Sequence, residues 1–350
     1  MSRSVFTPIR KLLPRVCLAL LLCLSSAPAR AQQQPPPAQD DDVVRVEANL
    51  IKLNIGVADR RGYPVTNLTR EEFVVYEDGV RQTINSFEPA SAPFSIVVLL
   101  DMSGSTQKFR LTLKQSALRF LDALAPEDRV AVVSFNDKIK TLQDFTTDRR
   151  RVAYAISELA QGGGNTNFYR GLQHSLAQLA SEGTKRRKAV VVLTDGIDTE
   201  QRKLDGQASS SAQTAEEAVA MLKPEASAPL RAVLDAADRQ GVTVYPLALP
   251  ATNPRLLPTG ATPQQAASYH AARERLNTLA TRTGGRLHEI NRLEDMGRLY
   301  AQVAAEVRTL YSLTYQSARA GSQDGRWRAI NVEVTRADLI ARTRPGYYAR

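Results

Sequence analysis

Asp101, Ser103 and Ser105 stand at alternate positions in "LLDMSGST" (residues 99–106), directly after an unbroken apolar run. A strand tip that has only to turn uses Gly, Pro, Asn or a single Asp. Three oxygen-bearing side chains within five residues suit the holding of a ligand instead. Two later loops add the same chemistry, Thr166 in "QGGGNTN" and Asp195 in "LTDG". Hydroxyls and carboxylates without His or Cys suit a hard cation, Mg²⁺ first, then Mn²⁺ or Ca²⁺. The Ser oxygens would touch such an ion directly, while Asp101 and Asp195 supply charge directly or through water. Mg²⁺ takes six ligands, and weak neutral donors leave it electrophilic, so a vacant position attracts a carboxylate from another molecule. An N-cap for the following helix accounts for one of these residues. It does not account for the triplet, the Gly-flanked Thr and the strand-end Asp occurring in order.

Other chemistries find less support. His174, His270 and His288 are scattered and read as structural histidines. No G-x-S-x-G elbow is present, and no His is placed by sequence to activate Ser103 or Ser105. "GGGNTN" lacks the Lys-Ser/Thr of a phosphate loop and does not fit G-x-G-x-x-G. A metal-dependent phosphatase-like hydrolase with Asp101 as nucleophile would want a second carboxylate two residues on, where Ser103 stands. "TKRRK" (184–188) reads as a solvated turn.

The elements that must position these residues alternate. "FSIVVLLD" is a continuous apolar strand, expected where helices cover both faces. A helix follows over "KFRLTLKQSALRFLDAL", then strand "RVAVVSF" and an edge strand "IKTLQDF". The helices "DRRRVAYAISELA" and "FYRGLQHSLAQLAS" flank the glycine loop, and "KAVVVLTDG" is a second fully apolar strand. Residues 200–228 read as a loop with one short helix, and 251–262 as a Pro-rich insertion before a helix over 263–282. This rhythm predicts an α/β fold with a doubly wound, mostly parallel sheet. The flanks differ. "VVRVEANLIKLNIGV", "VVYEDGVRQTINSF", "YSLTYQS", "RWRAINVEVT" and "RTRPGYY" read as strands, with Asp78-Gly79 at a hairpin bend. Neither flank has enough residues for a core of its own, so the two are expected to pack together as a smaller β domain beside the α/β one.

The expected organisation is therefore a signal peptide at 1–31, a Pro/Gln/Asp-rich linker at 32–42, and an N-terminal β segment at 43–92. The α/β domain follows at 93–310 and a C-terminal β segment at 311–350. The leader rests on basic residues, then "VCLALLLCL", then "SSAPARA" with small residues near its end. A short uncleaved anchor is the alternative, and Leu22 argues against lipidation at Cys23. The leader carries five basic and no acidic residues and both cysteines, so its removal lowers the formal charge from +10 to +5. A mildly basic, thiol-free mature chain with no later membrane-length apolar run argues against nucleic acid as partner, against disulfides and against a membrane span. Export, periplasmic or to the cell surface, follows.

Residues 94–310 resemble a von Willebrand factor type A domain with a metal-ion-dependent adhesion site. The five positions of that family's site match Asp101, Ser103, Ser105, Thr166 and Asp195 without a gap. The flanks, "DRRGYPVTNLTREEFVVYEDGVRQTINSF" and "DGRWRAINVEVTR…RTRPGYY", resemble those of the VWFA-related proteins of acidobacteria. The resemblance implies a non-enzymatic binding module that grips an Asp or Glu of a protein partner through the bound cation. A structural envelope component with a vestigial metal site is the other reading.

Overall fold

The computed structural model describes residues 50–183, 186–250, 253, 257, 259–319 and 324–349. The expected leader (1–31), the linker (32–42) and the start of the first β segment (43–49) lie outside the described residues. So do residues 184–185 of the basic turn and part of the 251–262 insertion.

The chain opens with β1 (Leu50–Asp59), β2 (Phe73–Glu77), β3 (Val80–Gln82) and β4 (Ile84–Glu88). The middle runs β5 (Phe94–Asp101), α1 (Arg110–Asp122), β6 (Arg129–Phe135), β7 (Ile139–Thr146), α2 (Arg149–Tyr154), α3 (Phe168–Ser181) and β8 (Arg187–Thr194). It continues with α4 (Thr199–Ala208), α5 (Ala215–Met221), α6 (Ala228–Gln240), β9 (Val242–Ala248), α7 (Pro263–Arg282), β10 (His288–Glu289) and α8 (Met296–Arg308). The last strands are β11 (Leu310–Gln316), β12 (Trp327–Val334), β13 (Leu339–Arg342) and β14 (Gly346–Tyr348).

The central sheet has the order β10-β9-β8-β5-β6-β7, parallel throughout except at its β7 edge. That edge is antiparallel because only Asn136–Lys138 separate β6 from β7, too short for a crossover. Every residue of β5 is buried. Phe94, Ile96, Val98 and Leu100 pack on one side with α1 and α8, and Val97 and Leu99 on the other with α3, α6 and α7. A period-2 strand fed into two helical layers needs apolar residues at every position, which is why the run is unbroken.

Around this sheet the two chain ends interleave. One four-stranded sheet has the order β13-β1-β11-β4, the other β14-β12-β2-β3, and both are antiparallel. Leu53, Ile55, Phe73, Val75, Tyr311, Leu313, Tyr315, Ile330 and Val332 fill the space between them. Buried Glu77 is satisfied by three hydroxyl donors, Tyr315 at 2.7 Å, Ser317 at 2.6 Å and Tyr347 at 3.1 Å. The fold is thus α/β with a mixed, mostly parallel sheet, joined by a smaller β unit built from both flanks. Asn54 of β1 donates to Gly241 O at 3.0 Å and to Thr243 Oγ1 at 2.9 Å, fastening the β unit to the strand β9. Among the described residues, no helix is long and apolar enough to cross a membrane.

Three local expectations change. Residues 200–228 are not mainly loop. They form α4 and α5, capped by Asp198 and by the Thr214/Glu217 box, followed by a 3₁₀ turn at Pro224–Ala226. The composition masked this, because the stretch is polar and its helix-stabilising contacts are to α7, remote in sequence. The helix expected over 148–160 is α only to Tyr154 and π over Ala155–Leu159. The segment after Asp338 divides into β13 and β14, which belong to different sheets.

Candidate metal centre

In the sheet order, β5 and β8 are neighbours whose following connections leave in opposite directions. The crevice beyond their carboxyl ends is the switch point at which open α/β sheets bind ligands. Asp101 ends β5 and Asp195 follows Thr194, the last residue of β8. Parallel register places Leu100 opposite Leu193, so the two carboxylates rise from adjacent strand tips.

Asp101 is fully buried and held by two donors. The Ser103 N–H reaches Oδ1 at 3.1 Å and the Thr194 hydroxyl reaches Oδ2 at 2.6 Å. Burial drives its carboxyl well above the ordinary range, and the charge of Asp195 adds to the rise. Asp195, also buried, is raised by burial, opposed by hydrogen bonds from the Ser105 hydroxyl and the Ile197 N–H, the latter at 3.1 Å. The Ser103 and Ser105 hydroxyls lie 3.1 Å apart, the first buried and the second exposed. Two mutually repelling carboxylates sunk in low dielectric are costly unless a positive charge is shared between them.

Thr166 reaches this group from the glycine loop between two helices. It does not follow a strand. It lies in the connection from the π turn to α3, because antiparallel β7 and the helix after it carry the chain back before α3 begins. The glycines make the approach possible. Gly163 N–H donates to Met102 O at 2.8 Å and Gly104 N–H to Gly164 O at 3.1 Å, backbone against backbone. A Cβ on Gly162 would sit 1.9 Å from Met102 O, and Gly164 has φ +80°. Only glycine fits at both positions.

All five sequence-predicted residues therefore gather at one end of the sheet. Ser105, Thr166 and Asp195 line an open pocket of about 340 Å³ with Lys108, Asn165, Thr199, Arg202 and Tyr269. Buried Asp101 and Ser103 join them through the Ser103–Ser105 and Ser105–Asp195 hydrogen bonds. Among the described residues there is no group of three or more His, Cys, Asp and Glu side chains that could hold a metal. The donors here are two carboxylates supplemented by hydroxyls, a set suited to a hard cation and poor for a transition metal.

Sequence reasoning missed the residues that hold the donors still. Thr199 accepts the Thr166 N–H at 2.9 Å and returns its own N–H to Thr166 O at 2.9 Å. Thr106 bonds Asp101 O at 2.8 Å and Ser103 O at 3.1 Å, and Arg110 donates to Met102 O and Ser103 O. Thr194 and Thr106 adjoin the donors in sequence, so a polar residue beside each strand tip was the available signal. Thr199 carried none.

An α/β fold with oxygen donors gathered at its switch point defines the class. Residues 96–197, which include all five, match the von Willebrand factor type A domain family, so the chain contains such a domain. It is 31% identical over 146 residues to the human voltage-dependent calcium channel subunit alpha-2/delta-2, covering 39% of this chain and 13% of that protein. A Synechocystis protein is 32% identical over 107 residues, covering 30% of this chain and 25% of its own length. The chain thus spans only a small part of the length of the curated relatives it matches. Among solved structures, von Willebrand factor type A from Catenulispora acidiphila is similar with a TM-score of 0.45 and 13% identity, over 75% of this chain and 51% of that one.

Proposed function

We propose that the protein is an exported binding module that grips an acidic residue of a protein partner at a divalent-cation site made by Asp101, Ser103, Ser105, Thr166 and Asp195. The observation that carries this reading is the pair of buried carboxylates, both raised by burial, opening through hydroxyls into a solvent-facing pocket. When bound, Mg²⁺, or Mn²⁺ or Ca²⁺ in its place, supplies an electrophilic position for a carboxylate oxygen from outside.

The chain's own residues do the rest. Thr194 and the Ser103 N–H orient Asp101, and the Ile197 N–H orients Asp195. Thr199 fixes the backbone that presents Thr166. Two carboxylates nearly neutralise a divalent charge while leaving hydroxyls as weak donors, so an incoming Asp or Glu competes well with water. Binding modules are the usual role of von Willebrand factor type A domains, and the leader-like N-terminal sequence supports export.

The test is capture of partners from an envelope extract by wild type and Ser103→Ala, each with Mg²⁺ and with EDTA. Capture is expected only for wild type with Mg²⁺. Equal capture in all four arms would place the partner on another surface and end this reading.

A further inference from the structure

We propose that Arg202 and Lys108 read a second acidic side chain, so that the partner segment entering this pocket carries an acidic pair and not a lone Asp or Glu. The inference rests on the ion-dependent reading above and deepens it.

The pocket's charges are unbalanced. Its charged lining consists of Lys108, Arg202 and one carboxylate, Asp195, which is committed to the candidate donor set. Among the described residues the exposed Arg202 side chain makes no hydrogen bond or salt bridge, although its field lowers the pKa of Asp195. The ammonium of Lys108, also an exposed residue, rests 5.0 Å over the ring of Phe109. With a divalent cation offset by Asp101 and Asp195, these two side chains leave the pocket about two charges positive. One incoming carboxylate halves that excess and a second removes it. The pocket, of about 340 Å³ and open to solvent, has room for two acidic side chains.

Arg202 is not a loose surface arginine, because its helix is anchored on both sides of it. Asp198 caps α4 through the N–H groups of Glu200 and Gln201. Thr199 is clamped to Thr166, next to the donor set. Asp205 accepts two hydrogen bonds from Arg275 of α7, at 2.7 and 2.6 Å, with both side chains buried. Gln201 donates to Asp205 at 3.1 Å and accepts from Ser227 at 2.8 Å. The helix that carries Arg202 to the rim is therefore fixed at its backbone, which places the base of the guanidinium-bearing side chain. Lys108, which also lines the pocket, sits in the 3₁₀ turn Gln107–Phe109, whose buried Phe109 anchors it. A planar guanidinium with a fixed base suits carboxylate recognition better than a flexible ammonium, so Arg202 should be the stronger determinant.

Two capped peptides test this on the full chain, one with a single Asp among Gly and Ser, the other with two Asp separated by one residue. Affinities are read by NMR titration with Mg²⁺. The paired peptide is expected to bind roughly three- to tenfold more tightly, with a preference that shrinks as salt rises. In Arg202→Gln with Lys108→Gln, shown by circular dichroism to be folded, the ratio should fall toward one. Lys108→Gln alone should reduce it less than Arg202→Gln alone. A ratio near one in wild type, with binding still abolished by EDTA, overturns the acidic pair and leaves the ion reading standing. Binding of both peptides that ignores EDTA overturns both readings. Inorganic phosphate displacing the paired peptide more effectively than glutarate does would assign the rim to a phosphoryl group and overturn the acidic-pair inference.

Discussion

At the residue scale, the centre is a balance between burial and charge, and that balance has a testable sign. Burial and Asp195 hold the Asp101 carboxyl above its ordinary 3.8. The folded metal-free protein therefore binds that proton more tightly than the unfolded chain. Its contribution to stability is present at low pH and lost as pH rises from about 4 through the raised value. In EDTA, thermal stability should decline over that window, Mg²⁺ should restore it, and Asp101→Asn should flatten the decline and abolish the Mg²⁺ effect. At about a hundred times its dissociation constant, Mg²⁺ should stabilise wild type by about 2.7 kcal/mol, as read by calorimetry. A Mg²⁺ shift that survives in Asp101→Asn would move the ion elsewhere. Gly162→Ala puts a Cβ on a backbone oxygen that cannot retreat without disturbing Met102. A loss of about 1–3 kcal/mol is expected in urea unfolding, with the Mg²⁺ shift weakened as the Thr166 loop is pushed away.

At the element scale, α4 decides how well the site is held, because it contributes both the Thr199 clamp and Arg202. Its fastening to α7 is the buried Arg275–Asp205 pair. Removing one member of such a pair leaves an uncompensated charge, so Arg275→Leu should cost about 3–5 kcal/mol. Adding Asp205→Leu should recover much of that, since the pair's net contribution is far smaller than the cost of breaking it. Denaturant unfolding of the two single variants and the double variant measures the difference. Additive losses in the double variant would mean that the pair is not the fastening. Thr199→Ala is milder, about 1 kcal/mol for one hydrogen bond, but should reduce Mg²⁺ affinity more than its effect on stability suggests.

At the scale of the whole molecule, the two chain ends form one core on the flank of the α/β sheet. β12 pairs with β2 and β1 with β11, so neither end can keep its partners alone. Deleting residues 327–350 should strip Ile330 and Val332 from the core around Phe73, Val75 and Tyr315. We expect a lower melting temperature and increased binding of a hydrophobic dye. An unchanged melting profile would mean that the flank is not a shared unit. The expected leader has its own check: mass spectrometry of exported material should find Gln32 as the first residue, and an intact Met1 species in membranes would favour the anchor.

The α/β class, the strands that end at the candidate site and the five oxygen-bearing residues gathered there were legible in the sequence because each rests on a local regularity. Unbroken apolar runs mark strands covered on both faces, and oxygen-bearing residues at their tips have no packing role to explain them. The pairing of the two flanks followed from a burial argument alone. What only the tertiary structure decided depends on contacts between remote segments. Residues 200–228 are mostly helical because α7 supplies Arg275 and an apolar face about fifty to seventy residues away, so their polar composition pointed to loop. Thr199 orders the Thr166 loop across a thirty-three-residue separation, and no periodicity carries that relation. The approach of the glycine loop to Met102 is likewise a matter of two backbones meeting in space. Local pattern specifies which residues can form an element and which have chemistry to spare, whereas the closing of distant segments on one another decides which of them act together.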